Sequence, residues 1–162
     1  METLDRRRFL LMSALACAAP AAPALAANDR YAASPYRRLT DADWKRRLSP
    51  DAYRVLRHEA TERPGSSPLN HEKRRGTFHC AGCGLAMFKS DFKFESGTGW
   101  PSFFRVLPGA IGTKVDNTLG MRRTEYHCAQ CLGHHGHLFP DGPKPTGLRY
   151  CNNGLALTFR PA

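Results

Sequence analysis

No apolar run in this 162-residue chain reaches the roughly 20 residues that a membrane-spanning helix needs. The chain is too short for a barrel of alternating strands and helices, which takes about 250 residues. After Pro64 no segment of a dozen residues carries a helical period. The two cysteine pairs are the one internal repeat. Acidic residues are few, 14 Asp+Glu against 24 Lys+Arg. What is present fits one domain with a tail: 41% hydrophobic residues, enough for a core, and 14 Gly and 12 Pro dispersed without a period. That pattern points to a turn-rich fold and away from a helical bundle.

Residues 1–26 read as a targeting segment. Arg6, Arg7 and Arg8 precede a short apolar run from Phe9 to Cys17, and Ala24-Leu25-Ala26 supplies a small-x-small cleavage pattern. The order Arg6-Arg7-Arg8-Phe9-Leu10 resembles the twin-arginine export signal; an arginine-rich Sec signal is the plainer alternative. Ala14-Leu15-Ala16-Cys17 fits a lipid-anchor site poorly. Cleavage after Ala26 leaves a balance of +9 and five cysteines, Cys80, Cys83, Cys128, Cys131 and Cys151. An odd cysteine in an exported protein needs an explanation.

Residues 27–38 are polar and read as a linker, leaving a domain over residues 39–162. Two short helices are expected first. Thr40 caps one, with Asp41 and Asp43 favouring its positive end. Ser49-Pro50-Asp51 starts the other, Tyr53, Leu56 and Ala60 share its face, and Pro64-Gly65 ends it. From Gly76 the signals are for strands: Phe92 and Phe94 alternate with charged neighbours, Met121 to His127 mixes β-formers with polar residues, and Leu155, Leu157 and Phe159 alternate with small or polar ones.

Cys80-Ala81-Gly82-Cys83 and Cys128-Ala129-Gln130-Cys131 carry the strongest chemical signal. A two-residue spacer lets both sulfurs of a tight turn face one ion, and two such turns make a tetrahedral S4 site, the usual arrangement of structural zinc. With 44 residues between Cys83 and Cys128, the ion would join two separate hairpins. Disulfides within each pair, another metal and redox pairs are the alternatives. A redox CxxC opens a helix after a strand, and neither segment reads as helical. A closed S4 site stabilises a fold and leaves no position for catalysis.

Cys151 has no partner. Arg149, two residues earlier, would share its side of a strand, and a guanidinium there would favour the thiolate. A buried free cysteine is the plainer reading. Ser96-Gly97-Thr98-Gly99-Trp100-Pro101-Ser102-Phe103 sets Trp100 in a constrained loop able to offer an indole face to a small apolar group, or simply a core aromatic beside turn glycines. His134, His135 and His137 follow the second pair, as acid or donor groups or as exposed loop histidines.

Taken together these segments resemble the B-type methionine sulfoxide reductase family, which acts on the R epimer. The matching pieces are Thr61-Glu62-Arg63-Pro64, both CxxC pairs, Ser96 to Phe103, His134 to Pro143 and Gly147 to Asn153. They occur in the family's order and span roughly Leu39 to Phe159. The resemblance implies a mainly β fold of two antiparallel sheets with short N-terminal helices, and one structural zinc on Cys80, Cys83, Cys128 and Cys131. It implies peptide-methionine (R)-S-oxide reductase activity with Cys151 as nucleophile. His134, His137 and Asn153 would handle the proton, Arg149 the charge around the thiolate, and Trp100 with Phe139 the substrate. Oxidised proteins would be the substrates, a thioredoxin-like protein or small thiol the reductant, and a monomer the expected state.

The sequence departs from the family's commonest pattern in three places. Thr98 stands where many relatives carry a resolving cysteine, which implies a single-cysteine cycle closed by an outside reductant. His135 replaces an apolar residue. Asn152 and Gly154 replace an apolar residue and a serine, which is expected to soften the pocket. Twin-arginine transport to the periplasm would let zinc shield four thiols before exposure to an oxidising compartment. Two rivals stand beside this reading: an exported zinc-binding structural module without catalysis, and a zinc-ribbon nucleic-acid binder. The second is disfavoured, since the basic residues are spread among Arg37-Arg38, Arg46-Arg47, Lys73-Arg74-Arg75 and Arg122-Arg123.

Overall fold

A computed structural model describes residues 29–162, so the targeting segment read in residues 1–26 lies outside the described residues. Helix α1 (Asp41–Arg47) begins with a capping box in which Thr40 and Asp43 satisfy each other's backbone N–H groups. Helix α2 (Pro50–His58) starts with the Ser49 side chain accepting from the Ala52 N–H and with Pro50 in the first turn. Its buried face is Ala52, Tyr53, Val55 and Leu56.

The expected end of α2 is wrong by several residues. Glu59 takes a left-handed conformation, φ 56°, and stops the helix at His58, so Ala60 is not on its face and Pro64-Gly65 does not end it. The early stop lets residues 60–65 run along the protein body. There the Glu62 carboxylate accepts from the Gly154 and Leu155 N–H groups, at 2.6 and 3.1 Å.

Among the described residues nine strands form two antiparallel sheets. The smaller has the order β2 (Ala86–Lys89), β1 (Gly76–Cys80), β9 (Leu157–Pro161). The larger has the order β3 (Lys93–Phe94), β4 (Ser102–Phe103), β8 (Arg149–Asn152), β7 (His134–Phe139), β6 (Arg123–Cys128), β5 (Ile111–Asp116). The sheets meet through aromatics. Phe88 stacks on Phe103 with centroids 4.2 Å apart, Phe78 meets Phe103 edge-on at 4.9 Å, and Tyr126 and Tyr150 close around Phe88. Such contacts contribute about 0.5–1.5 kcal/mol each beyond area burial.

Two strand expectations are corrected. Phe92 belongs to a 3-10 turn (Ser90–Phe92), so the Phe92/Phe94 alternation reduces to the two-residue β3. Leu155 belongs to the turn Gly154–Ala156, and β9 starts at Leu157. Both segments leave a sheet edge, where ladder hydrogen bonds give way to tighter turns. The described part of the expected linker, 29–38, packs against the domain. Arg30 donates to the Pro108 and Gly109 carbonyls, Arg37 donates to the Ala129 carbonyl at 2.6 Å, and Tyr36 stacks on Trp44. Among the described residues no helix is long and apolar enough to cross a membrane.

Candidate active site and metal centre

The first CxxC turn closes the β1–β2 hairpin and the second closes β6–β7. The sulfurs of Cys80, Cys83, Cys128 and Cys131 lie within 4.8 Å of one another. The close approaches join the two turns, Cys80 to Cys131 at 3.6 Å and Cys83 to Cys128 at 3.5 Å. A tetrahedral ion with Zn–S bonds of about 2.3 Å sets its sulfurs about 3.8 Å apart. The cluster therefore fits a four-thiolate metal, and its cross-turn contacts disfavour a disulfide within each pair. Gly82 matters here, because a Cβ would sit 3.3 Å from the Trp44 ring and 3.6 Å from two of the sulfurs.

The catalytic candidates gather on the other face of the large sheet. Glu125 on β6 opposes His137 on β7, His137 opposes Cys151 on β8, and Cys151 opposes Ser102 on β4. Directly opposed residues have Cβ atoms roughly 4.5–5.5 Å apart. One row thus carries a carboxylate, an imidazole, a thiol and a hydroxyl. Tyr126, Tyr150 and Asn152 alternate onto the buried face.

His134 and His137 are three residues apart and would point to opposite faces of a regular strand. The register shift opposite Tyr126/His127 inserts an extra residue and brings both onto the catalytic face, with ring centroids 5.6 Å apart. His134 Nδ1 bonds the Glu125 carboxylate at 2.8 Å. With that nitrogen committed, its buried Nε2 has no partner among the described residues and serves the cleft beside it. That cleft, of about 260 Å³, is lined by Thr61, Asp116, Thr118, Arg123 and both histidines, among others. His137 Nε2 bonds Asp116 at 2.7 Å.

Burial pushes the Glu125 carboxyl up, but hydrogen bonds from His127 and His134 outweigh it and hold it at about 2. Asp116 is held well below the carboxylate range, first by the Thr118 hydroxyl and N–H and then by His137. Burial pulls the His137 pKa down, against the raising effect of Asp116. Both carboxylates were missed in the sequence. The alternation Arg123, Glu125, His127 was the available signal for one of them.

Arg149 lies beside Cys151 as expected, but a bidentate pair with Asp141, at 2.8 and 2.9 Å, takes up its charge, and it stacks on Phe139 at 4.3 Å. Arg149 does favour the thiolate as expected, but burial is the larger influence on Cys151. Burial raises the Cys151 pKa, and Arg149 and the Thr98 hydroxyl lower it by less. The Trp100 indole N–H donates to the Glu62 carbonyl at 3.1 Å. Its loop is pinned where the Gly65 N–H and the Asn70 side chain both donate to the Gly99 carbonyl, at 2.7 and 2.9 Å. Asn153 is buried with both ends of its amide on backbone: Oδ1 accepts from the Glu62 N–H and Nδ2 donates to the His135 carbonyl. It ties the 60–65 segment and β7 to the strand bearing Cys151.

Two departures from the family pattern explain each other. His135 Nδ1 bonds Asn152 Oδ1 at 3.1 Å, and the Tyr126 hydroxyl donates to the same oxygen at 2.8 Å. Burial holds the His135 pKa at about 4, so the ring is neutral near neutrality. The expected softening is therefore not found. Asn152 is fully buried and bonded, and the space a side chain would need at Gly154 is filled by Ser67, whose Oγ would lie 1.9 Å from an added Cβ.

Comparison with known proteins adds the family. The SelR domain matches residues 48–161. Proteins named peptide methionine sulfoxide reductase MsrB are similar over most of their length. The one from Agrobacterium fabrum is 50% identical over 129 residues, 79% of this chain and 96% of the relative. The one from Bradyrhizobium diazoefficiens is 53% identical over 123 residues, 75% and 88% respectively. The one from Methanosarcina mazei is 49% identical over 121 residues, 74% and 86%. With these sheets and this cysteine cluster, the chain belongs to the SelR domain family.

Proposed function

We propose that this chain is a peptide methionine sulfoxide reductase acting on the R epimer, with Cys151 as its nucleophile. The observation that carries the mechanism is the register that sets Cys151 directly opposite His137, two residues along β8 from the Asp141-bound Arg149. The Cys151 thiolate attacks the sulfoxide sulfur. Two electrons pass from the cysteine sulfur to the substrate sulfur, and the oxygen moves to Cys151, giving methionine and a sulfenic acid. The proton needed by the sulfoxide oxygen is held at the ring nitrogens of His134 and His137, whose carboxylate partners, Glu125 and Asp116, fix their orientation. Trp100 and Phe139 offer apolar faces to the substrate's methyl group, and Asn153 orients the strand ends from behind.

Zinc is the ion that suits Cys80, Cys83, Cys128 and Cys131, and when bound it supplies stability and no chemistry of the reaction. Thr98 at the usual resolving position makes this a single-cysteine cycle. The sulfenic acid is attacked by an external thiol, a mixed disulfide forms with loss of water, and a second thiol frees Cys151. The substrates are oxidised proteins, the reductant is a thioredoxin-like protein or a small thiol, and the protein acts as a monomer. Export by the twin-arginine route to the periplasm completes the reading; a reporter fused to residues 1–27 that is exported without that machinery would refute it.

Mass analysis after one turnover without reductant tests the cycle. Cys151 should carry one added oxygen or its dimedone adduct, and no intramolecular disulfide. A stoichiometric disulfide between Cys151 and any other cysteine of the chain would overturn it.

A further inference from the structure

The segment Thr61-Glu62-Arg63-Pro64 belongs to the family resemblance, yet no step above uses it. Every polar group of Glu62 is spent on the elements around Cys151. Its backbone N–H donates to Asn153 Oδ1 at 3.0 Å. Its backbone carbonyl accepts from the Trp100 indole N–H at 3.1 Å. Its buried carboxylate accepts from the Gly154 N–H with one oxygen, at 2.6 Å, and from the Leu155 N–H with the other, at 3.1 Å. One residue thus holds the Trp100 ring on one side and the chain just past Cys151 on the other.

The sheet alone does not make this connection. β4 pairs with β8 only at Ser102 and Phe103, and the last bond of the ladder runs from the Asn152 N–H to the Pro101 carbonyl, at 2.9 Å. Pro101 has no N–H with which to continue it, and Trp100 lies beyond. The Glu62 segment meets the Trp100 loop from outside the sheet. The Gly65 N–H donates to the Gly99 carbonyl at 2.7 Å, and a Cβ on Gly99 would lie 2.8 Å from Pro64 Cβ. The two backbones are therefore in close contact one residue before the ring.

We infer that Glu62 is a positioning residue for the reduction, setting the spacing between the Trp100 ring and Cys151 while touching neither the substrate nor the sulfur. In the reaction proposed above, Trp100 holds the methyl group on the very sulfur that Cys151 attacks, so this spacing fixes the line of attack. The carboxylate anchors the Glu62 backbone to the turn after β8, and the backbone carbonyl passes that position to the indole. Without the carboxylate the Gly154 and Leu155 N–H groups lose their acceptors, and the turn must move to find others.

The inference rests on the reductase reading, and its test separates the two. The full-length, metal-loaded protein is given an R-sulfoxide peptide for a single turnover without reductant, so the rate reports sulfoxide reduction and not the return of Cys151. Glu62→Ala should lower that rate about a hundredfold, the effect of a displacement of about 1 Å at a catalytic group. Glu62→Gln keeps one acceptor oxygen and should stay within about tenfold of wild type. Alkylation of Cys151 should proceed at the wild-type rate in both. The Trp100 indole N–H signal, assigned with Trp100→Phe, should shift in both, while that of Trp44, whose Nε1 has no partner among the described residues, should not. Trp100→Phe keeps a ring and loses the N–H, so in that background Glu62→Gln should cost less than about twofold. A folded Glu62→Ala protein with the wild-type single-turnover rate would overturn the inference. So would a Glu62→Gln loss that persists in full in the Trp100→Phe background, which marks a merely structural role. If Glu62→Ala fails to fold, Glu62→Gln and this double-mutant cycle decide by themselves. A wild-type protein that converts no sulfoxide would instead refute the reductase reading on which the inference stands.

Discussion

Removing the metal from the four-cysteine centre should unfold the domain, not merely slow it. A metal held by these four cysteines would tie together the β1–β2 and β6–β7 hairpins, which belong to different sheets. Structural zinc contributes an apparent ~10–16 kcal/mol in small domains. A whole domain is stable by about 5–15 kcal/mol. Loss of the first quantity exceeds or consumes the second. The pH dependence has the same sign: protonation competes with the metal for the thiolates, so acid weakens the tie. Both a strong chelator and Cys128→Ser should abolish the cooperative thermal transition, with one equivalent of zinc measured in the wild-type protein. An unchanged transition in the metal-stripped protein would show that the aromatic core alone holds the sheets together.

Gly136→Ala should be one of the most damaging single methyl additions among the described residues. A Cβ on Gly136 would lie 2.0 Å from the Cys151 carbonyl oxygen and 3.3 Å from the Asn152 Cα. These are backbone atoms of the strand that carries Cys151, and they cannot swing aside. Relief requires β7 and β8 to separate at the position where His137 faces Cys151. Overpacking of this kind costs about 1–3 kcal/mol. A displacement of about 1 Å in a catalytic group can cost a hundredfold in rate. The expected outcome is a protein that still folds and binds metal but turns over about a hundredfold more slowly. Near-normal turnover would mean that the β7–β8 register does not set the catalytic geometry.

The parts of the molecule legible in sequence are those whose signal is local. A CxxC turn, a Thr-x-x-Asp capping box and a Ser-Pro-Asp helix start each fit within a few residues. The row of candidate catalytic residues is not local. Glu125, His137, Cys151 and Ser102 come from four strands, and only pairing registers line them up. The joint placement of His134 and His137 depends on a bulge, and one residue of slip would send His137 to the core face. His135 and Asn152 looked like unrelated departures because their partnership crosses the β7–β8 pair. The end of α2 was misread because Pro64-Gly65 is a clear stop signal, while the actual stop, Glu59, is a non-glycine residue in a left-handed conformation. Asp141 was visible in sequence, but its capture of Arg149, which weakens the expected pull on the thiol, was not.

The central claim is tested most directly by incubating the metal-loaded protein with a chemical dithiol and a peptide carrying both methionine sulfoxide epimers, beside a Cys151→Ser control. Each epimer is followed by chromatography. The account predicts that the R epimer alone is converted to methionine and that the control is inactive. Loss of neither epimer while zinc is bound and Cys151 is free, or equal activity in the Cys151→Ser protein, would contradict it.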